Sequence, residues 1–172
     1  MMIQQTPWFE RKFDFNFPVG LFPVIVERLR GTIFQLKAMT EDIPDAILSF
    51  KKDGKWSVKE IAGHLFDLEE LWSGRVDDFL SHKEILRAAD LNNTKTHEAN
   101  HNSKTMTQLL NQFITARKNL INKVKNIDET AATITSLHPR LKQPMRLIDS
   151  LFFIAEHDDH ELTKIRLLLN DQ

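Results

Sequence analysis

Apolar residues recur at steps of three and four, the period of an amphipathic α-helix, in four long segments of the chain. The first predicted helix runs from about Pro23 to Glu41, because a proline suits the first turn, where its missing N–H has no helical partner. The second begins at 57-SVKE-60, the capping-box pattern of a serine followed three residues later by glutamate, and ends near Ser81.

Two further segments complete the helical pattern. The third helix is predicted over about 105–127, and the fourth from Pro144, again as a first-turn proline, to about Leu169. No stretch alternates with period two, so no strand is expected. Four such helices, with a long connection over 82–104 between the second and third, predict an all-α four-helix bundle formed by a single domain, 1–172.

The segments outside the helices differ in character. The aromatic stretch 7-PWFERKFDFNFP-18 is expected to pack over the bundle as an irregular arm. The polar connection 82–104 is unusually long for a compact domain, and such loops are often functional. Part of it, around 84-EILRA-88, is expected to form a short helix.

Composition excludes several classes of function. The 23 basic and 24 acidic residues give a formal net charge of −1, and no helix carries a stripe of Lys and Arg, so no nucleic-acid partner is expected. The chain has no cysteine, which removes disulfides, thiolate nucleophiles and zinc fingers. The N-terminal sequence lacks a signal-peptide pattern, and no apolar run is long enough to cross a membrane. We therefore expect a soluble, cytoplasmic protein.

Candidate chemistry is concentrated in 156-EHDDHEL-162 of the fourth helix. On a helical wheel His157 lies at the edge of the apolar stripe, Glu161 lies about 40° further round and within it, and His160 lies on the opposite flank. On the second helix His64 occupies the same kind of border position.

A glutamate within an apolar stripe must be protonated, paired or bound to a metal, because an unpaired buried carboxylate is costly. His157 and Glu161 have the i,i+4 spacing that lets two side chains chelate one ion, and His64 can complete the set. Two nitrogens and one carboxylate suit Zn, Ni, Fe or Mn. A hydrogen-bonded core histidine at 64, and an ion pair from Glu161 to a lysine or arginine of the first helix, would satisfy the same pattern without a metal.

Three segments together resemble the DinB-like superfamily, which includes YfiT-type hydrolases and bacillithiol- and mycothiol-dependent transferases. These segments are 55-KWSVKEIAGHLFDLEELWSGRVDDFL-80, 87-RAADLNNTKTHEANHN-102 and 153-FIAEHDDHELTKI-165. The resemblance implies an up-down-down-up bundle and one divalent metal held by three histidines. The first of these stands in a GHL context on the second helix, and the other two are separated by four residues on the last helix.

His64 and His157 match two of these ligand positions, but Glu161 stands where the family has its third histidine. Three outcomes follow: Glu161 binds the metal, His160 takes its place, or the metal site is lost. By the resemblance, Asp67 and Lys164 lie one turn from ligands and could line the pocket.

The loop pattern Asn93, His97, Asn100 and His101 is either a lid that contacts substrate or a polar crossover held by Asn and Thr hydrogen bonds. Asp67, His97 and His101 are therefore the candidate substrate-pocket residues.

The resemblance implies a divalent-metal-dependent enzyme that acts on a small molecule. It would be a hydrolase or an S-transferase, and in the latter case a low-molecular-weight thiol must be supplied, since the chain has no cysteine. The alternative is a non-catalytic, stress-related binding protein with a degenerate or lost metal site. The resemblance also suggests a homodimer.

Overall fold

Helices dominate the computed structural model, in which residues 3–170 are described. In chain order the helices and strands are α1 (Phe22–Thr40), α2 (Asp45–Leu48), α3 (Val58–Asp67), α4 (Glu69–Leu80), α5 (Thr94–Glu98), α6 (Met106–Val124), α7 (Glu129–Ala132), β1 (Thr135–Leu137), β2 (Pro144–Arg146) and α8 (Leu147–Asn170). Single 3-10 turns lie at Trp8–Glu10, Val19–Leu21 and His101–Ser103. The bundle consists of α1, the pair α3 and α4, α6, and α8.

Side-chain pairs fix the direction of the second and third bundle helices. Glu69 accepts hydrogen bonds from Arg117, and eight residues later Asp77 pairs with Lys123. The residue numbers of both partners increase from the first pair to the second, so α4 and α6 run parallel. The long connection between them therefore returns the chain to the end of the bundle where α3 begins.

The first and last helices also run parallel to each other. Ile25 belongs to the same apolar cluster as Ile148, and Ile33 to the same cluster as Ile165. By contrast, α1 and α6 are antiparallel, because Ile33 shares its cluster with Leu109, near the start of α6. The order is therefore up-down-down-up, as predicted.

The second bundle helix departs slightly from its predicted form. A single residue, Leu68, separates α3 from α4, and its backbone keeps right-handed helical angles. The predicted capping box is present: the Ser57 side chain accepts from the Glu60 N–H, and the Glu60 carboxylate accepts from the Ser57 N–H.

The prediction that Pro144 begins the last helix is wrong. Pro144 lies in β2, which pairs antiparallel with β1 and places Ser136 opposite Met145. The last helix starts after Arg146, because Asp149 in its first turn accepts a hydrogen bond from the Arg146 N–H. Three-residue strands are too short to produce a visible alternation of apolar and polar residues.

The short helix expected around 84–88 is also absent from the described structure. The backbone there is extended: Leu86 donates to the Leu137 carbonyl, and Leu137 donates to that of Glu84. The helical turns of this connection lie further along, in α5 and at His101–Ser103.

Two apolar clusters fill the two ends of the bundle, and polar side chains occupy the level between them. Along α6, for example, Phe113 belongs to one cluster and Leu120 to the other, with the buried Arg117 between them. On α8 the same intermediate level carries His157 and Asp158. The candidate chemistry therefore lies midway along the bundle.

The N-terminal arm packs across α8, as predicted. Arg11 pairs with Glu156, Gln5 donates to the His160 carbonyl, and Trp8 lies on Phe153. Within residues 3–170, no helix is long and apolar enough to span a membrane.

Candidate metal centre

A cavity of ≈ 340 Å³ lies beside α8 at this intermediate level. Its wall includes all three tryptophans of the chain, Trp8, Trp56 and Trp72, together with Phe9 and Phe153. The arm, the loop 88–93 and the connection between β1 and β2 enclose the remaining sides.

His64, His157 and Glu161 meet at the wall of this cavity. One potential ligand atom of each side chain lies within 4.8 Å of those of the other two, and all three residues are buried. His157 Nε2 is 3.7 Å from Glu161 Oε1, which is too long for a hydrogen bond but fits two ligands that each stand about 2.0–2.2 Å from one ion.

A chain of hydrogen bonds fixes the proton on His64. The Thr96 hydroxyl donates to Asp67 Oδ2 over 2.9 Å and lies 3.1 Å from His64 Nδ1. Since that hydroxyl has only one proton, it must accept from His64, so Nδ1 carries the hydrogen and Nε2 keeps a free lone pair. Such an outer contact sets the tautomer of a metal-binding histidine.

His101 is the next member of this series of hydrogen bonds, after Asp67. Its Nε2 lies 2.8 Å from Asp67 Oδ2, and Lys104 Nζ lies 3.4 Å from its Nδ1. Burial raises the pKa of Asp67, but the hydrogen bonds from His101 and Thr96 outweigh it and hold the pKa below its ordinary value. The carboxylate is therefore ionised and acts as the acceptor for both donors.

His157 is buried and packs against three aromatic rings. The rings of Trp8, His64 and Trp72 have their centroids 4.9, 5.4 and 6.0 Å from its own. Burial, together with the charge expected on a protonated His64, keeps the pKa of His157 well below 6.5. Its Nδ1 has no hydrogen-bond partner among the described residues, an uncommon state for a buried nitrogen.

Glu161 is 2% exposed, and its cationic partner is Lys164, whose Nζ lies 2.9 and 3.1 Å from the two carboxylate oxygens. Burial raises the pKa of Glu161 although Lys164 opposes the shift. Sequence reasoning placed the alternative ion pair on the first helix, whereas the partner lies one turn along the same helix.

For the histidines, burial comes first among the causes that lower the pKa. The pKa of His64 falls to about 4, with Lys164 as the second cause, and that of His160 also falls to about 4. Neutral imidazoles at pH 7 keep the lone pair that a metal requires.

His160 faces a different part of the structure from the other three. Its ring lies 5.5 Å from that of Trp8, and its Nδ1 is buried without a partner among the described residues. The cluster of three ligand atoms includes Glu161 and not His160. This is the arrangement that the helical wheel favoured.

The three residues predicted to form the substrate pocket, Asp67, His97 and His101, do not line one common cavity. Asp67 lines a smaller cavity of ≈ 270 Å³ that shares His64 with the first. His101 lines neither of these cavities: its side chain is fully buried against Asp67 and held close to the helix at Gly63. His97 is exposed, with its ring 5.5 Å from Trp56, and does not line either cavity.

Several cavity residues were missed from the sequence. One of them is Arg75. The sequence signal for it was a charged residue close to Trp72 and Val76, which belong to the apolar stripe of the second helix. His138 and Arg140 come from the connection between β1 and β2, which could not be placed without predicting the strands.

Comparisons with known proteins agree with this architecture. A family model described as the DinB superfamily matches residues 28–164. The chain is similar in structure to YfiT from Bacillus subtilis, described as "a probable metal-dependent hydrolase with an unusual four-helix bundle topology", with a TM-score of 0.82 and 18% identity over 94% of this chain and 93% of that one. A search of curated proteins gave no match.

Proposed function

Because this chain belongs to the DinB superfamily, we propose that it is a divalent-metal-dependent hydrolase of a small molecule, with His64, His157 and Glu161 as the metal ligands. One observation carries the proposal: three buried ligand atoms lie within 4.8 Å of one another at the wall of a cavity large enough for a small substrate. The description of YfiT as a probable metal-dependent hydrolase supports the same class of reaction.

The donor set fits a first-row divalent ion. His64 presents Nε2 with its lone pair free, and His157 Nε2 lies 3.7 Å from Glu161 Oε1, close enough for both atoms to bind one ion. Glu161 adds one negative charge, which leaves the expected His₂-carboxylate set with coordination positions open to solvent or substrate. Zn, Ni, Mn and Fe all suit this set.

A bound divalent ion supplies Lewis acidity and makes water a better nucleophile near neutral pH. The chain contributes the surroundings. Asp67 and Thr96 keep the His64 proton on Nδ1, and the tryptophan walls limit the access of bulk water. Asp67 already accepts from two donors, so its role is to orient His64.

Lys164 has to give up its hold on Glu161 when a cation binds, because two positive charges would compete for one carboxylate. Its side chain is 41% exposed and flexible, so the ammonium can turn towards the cavity, which it also lines.

The same ion pair favours a second candidate function. A carboxylate already satisfied by Lys164 needs no metal, as expected for a non-catalytic binding protein with a degenerate site. The two candidates differ in a measurable property, which is whether the protein holds a metal.

The decisive experiment is metal analysis of untagged protein by plasma mass spectrometry. We expect about one ion per chain, lost in His64→Ala and Glu161→Gln and kept in His160→Gln. His82→Asn is the matched control, since this exposed histidine lies outside the cavity and asparagine accepts its positive φ of 51°. Protein that stays empty after incubation with Zn, Ni and Mn would overturn the proposal in favour of the non-catalytic candidate.

A further inference from the structure

Hydrogen-bond-donating side chains from two elements meet at one part of the cavity wall. Arg75 comes from α4, whereas His138 and Arg140 come from the connection between β1 and β2. His138 has its ring centroid 5.3 Å from that of Phe153, and the Arg140 guanidinium carbon lies 5.7 Å from the same ring. Phe153 thus contacts His138 and Arg140, and the Arg75 guanidinium carbon lies 5.4 Å from the centroid of the Trp72 ring.

Hydrogen-bond donors outnumber acceptors in the group. His138 Nδ1 accepts from the backbone N–H groups of Arg140 and Leu141, at 3.2 and 3.1 Å, so the proton of the neutral ring must be on Nε2. That nitrogen lies 3.1 Å from Arg75 Nη1, which can only donate. Two donors therefore face each other, and the 2% exposed ring of His138 cannot turn to solvent.

No carboxylate in the described structure forms a direct ion pair with the two arginines of the group, although the charge of Asp78 acts on Arg75 from a distance. Arg140 Nη2 is buried without a partner among residues 3–170. Asp78, one turn from Arg75, is held by Arg87 through both carboxylate oxygens.

The acids that line the cavity are engaged elsewhere. Asp90 accepts from the backbone N–H groups of Asn92 and Thr94, and Glu161 pairs with Lys164. A guanidinium that is 1% exposed, as in Arg75, is normally paired, because burial of an isolated charge is costly. Burial and then Arg140 lower the pKa of Arg75 to about 10, which is still far above neutral pH.

We propose that Arg75, His138 and Arg140 form an anion subsite, which binds a carboxylate or phosphate group of a small molecule whose apolar body lies against Phe153 and Trp72. Carboxylate and phosphate oxygens are the acceptors that guanidinium groups pair with best, and an oxygen between Arg75 and His138 would relieve the contact between the two donors. In taking this molecule as the substrate, the inference rests on the proposed function.

The position of the subsite fits that role. Phe153 and His157 are four residues apart on α8, which corresponds to a rise of about 6 Å. An anionic group over Phe153 therefore places the next few atoms of the same molecule beside His157 and Glu161.

The chain provides its own reporter for a binding test. Its fluorescence comes from three tryptophans, all of which line the cavity, and it contains no tyrosine. We would titrate metal-free protein with phenylacetate, phenylphosphate and the uncharged 2-phenylethanol. We expect at least one of the anions to bind about tenfold or more tightly than the alcohol.

The test variant is Arg140→Gln, because no hydrogen bond from the Arg140 side chain holds the described structure together. It should weaken binding of the preferred anion about tenfold and leave the alcohol unchanged, with only a small change in melting temperature from the lost contacts with the Phe9 and Phe153 rings. Arg166→Gln is the matched control, since it removes the same charge at an exposed position of α8 outside the cavity. The ratio of phenylacetate to phenylphosphate affinity distinguishes a carboxylate site from a phosphate site.

Three results would overturn the inference: no binding of either anion, equal binding of the alcohol, or equal affinity in Arg140→Gln. Anions that bind only after zinc is added, with no effect of Arg140→Gln, would show that they bind the metal. That result leaves the proposed function standing. Conversely, Arg140-dependent binding to a protein that takes up no metal supports the subsite and refutes the metal-dependent reaction.

Discussion

Two buried polar clusters lie back to back on α8, and neighbouring residues belong to different ones. His157 faces His64 and Glu161, whereas Asp158 faces Arg117 of α6. The two clusters occupy the same level of the bundle and both are buried, yet they differ in how their polar atoms are satisfied.

The cluster around Arg117 is closed, in the sense that the chain itself supplies the hydrogen-bond and ion-pair partners of the guanidinium. Its guanidinium donates to Glu69, to both oxygens of Asp158 and to the Leu29 carbonyl, and Thr32 donates to Asp158 as well. Within this cluster, Glu69 Oε2 is the one buried side-chain atom without a partner among residues 3–170.

The cluster around His157 borders a cavity instead. Nε2 of His64 keeps a free lone pair, and the cation beside Glu161 is the partly exposed Lys164. Burial alone therefore does not distinguish a binding site from a polar cluster that only stabilises the fold. Lone pairs left free beside a cavity do, because binding can satisfy them.

The largest expected effect comes from opening the closed cluster. In Arg117→Met two buried carboxylates lose their cation, so we expect the free energy of unfolding to fall by about 3–5 kcal/mol in urea denaturation. Adding Glu69→Gln and Asp158→Asn to the same variant should recover part of the loss, since both uncompensated charges disappear. A loss below about 1 kcal/mol would mean that Arg117 does not act as a structural ion-pair centre.

The second prediction uses metal binding to distinguish the two clusters. An ion that binds only the folded state stabilises it by about 2.7 kcal/mol when its free concentration is roughly a hundredfold above Kd. We expect zinc to raise the melting temperature of the wild type and a chelator to reverse the rise. His64→Ala should abolish the effect and His82→Asn should retain it. An equal rise in His64→Ala would place the bound zinc outside this cluster.

A smaller effect is expected at Gly63, whose lack of a side chain admits His101. A Cβ at position 63 would lie 2.2 Å from His101 Cγ, so Gly63→Ala should cost about 1–3 kcal/mol and displace the support of Asp67. Gly31→Ala is the matched control: its Cβ meets only Gln35 Nε2 at 3.7 Å, and alanine should stabilise that helix by about 1 kcal/mol. Equal effects of the two substitutions on thermal unfolding would contradict the close approach of His101.

The bundle was predictable because long amphipathic helices repeat their signal over many turns. The bounds of the first helix differ by one residue at each end, at Phe22 and Thr40. The hairpin was not predictable, because each of its strands has only three residues and Pro144 matches the pattern of a proline in the first turn of a helix. Its absence from the prediction removed His138 and Arg140 from the expected cavity.

The relative positions of three side chains on α8 were predictable because helical geometry alone decides them, and the metal-binding role of His64, His157 and Glu161 stays a prediction. Glu161 and His157 share a helical face, and the wheel separates both from His160. The roles of Thr96 and His101 depend on how the loop 82–104 folds back, which sequence spacing does not encode. The thiol co-substrate, the homodimer and the cytoplasmic location stay predictions.

The smallest effect tests whether Thr96 serves the metal centre or only the fold. Thr96→Val keeps the shape of the side chain but removes the hydroxyl between His64 and Asp67, so Nδ1 loses its acceptor. We expect zinc affinity to fall about tenfold, measured by competition with a coloured chelator. Thr32→Val is the matched control, because it removes an equally buried hydroxyl that donates to Asp158 in the closed cluster. It should cost about 1 kcal/mol of stability and leave zinc affinity unchanged. If the two variants weaken zinc binding equally, the clusters are coupled through α8, and the contrast between an open and a closed cluster fails.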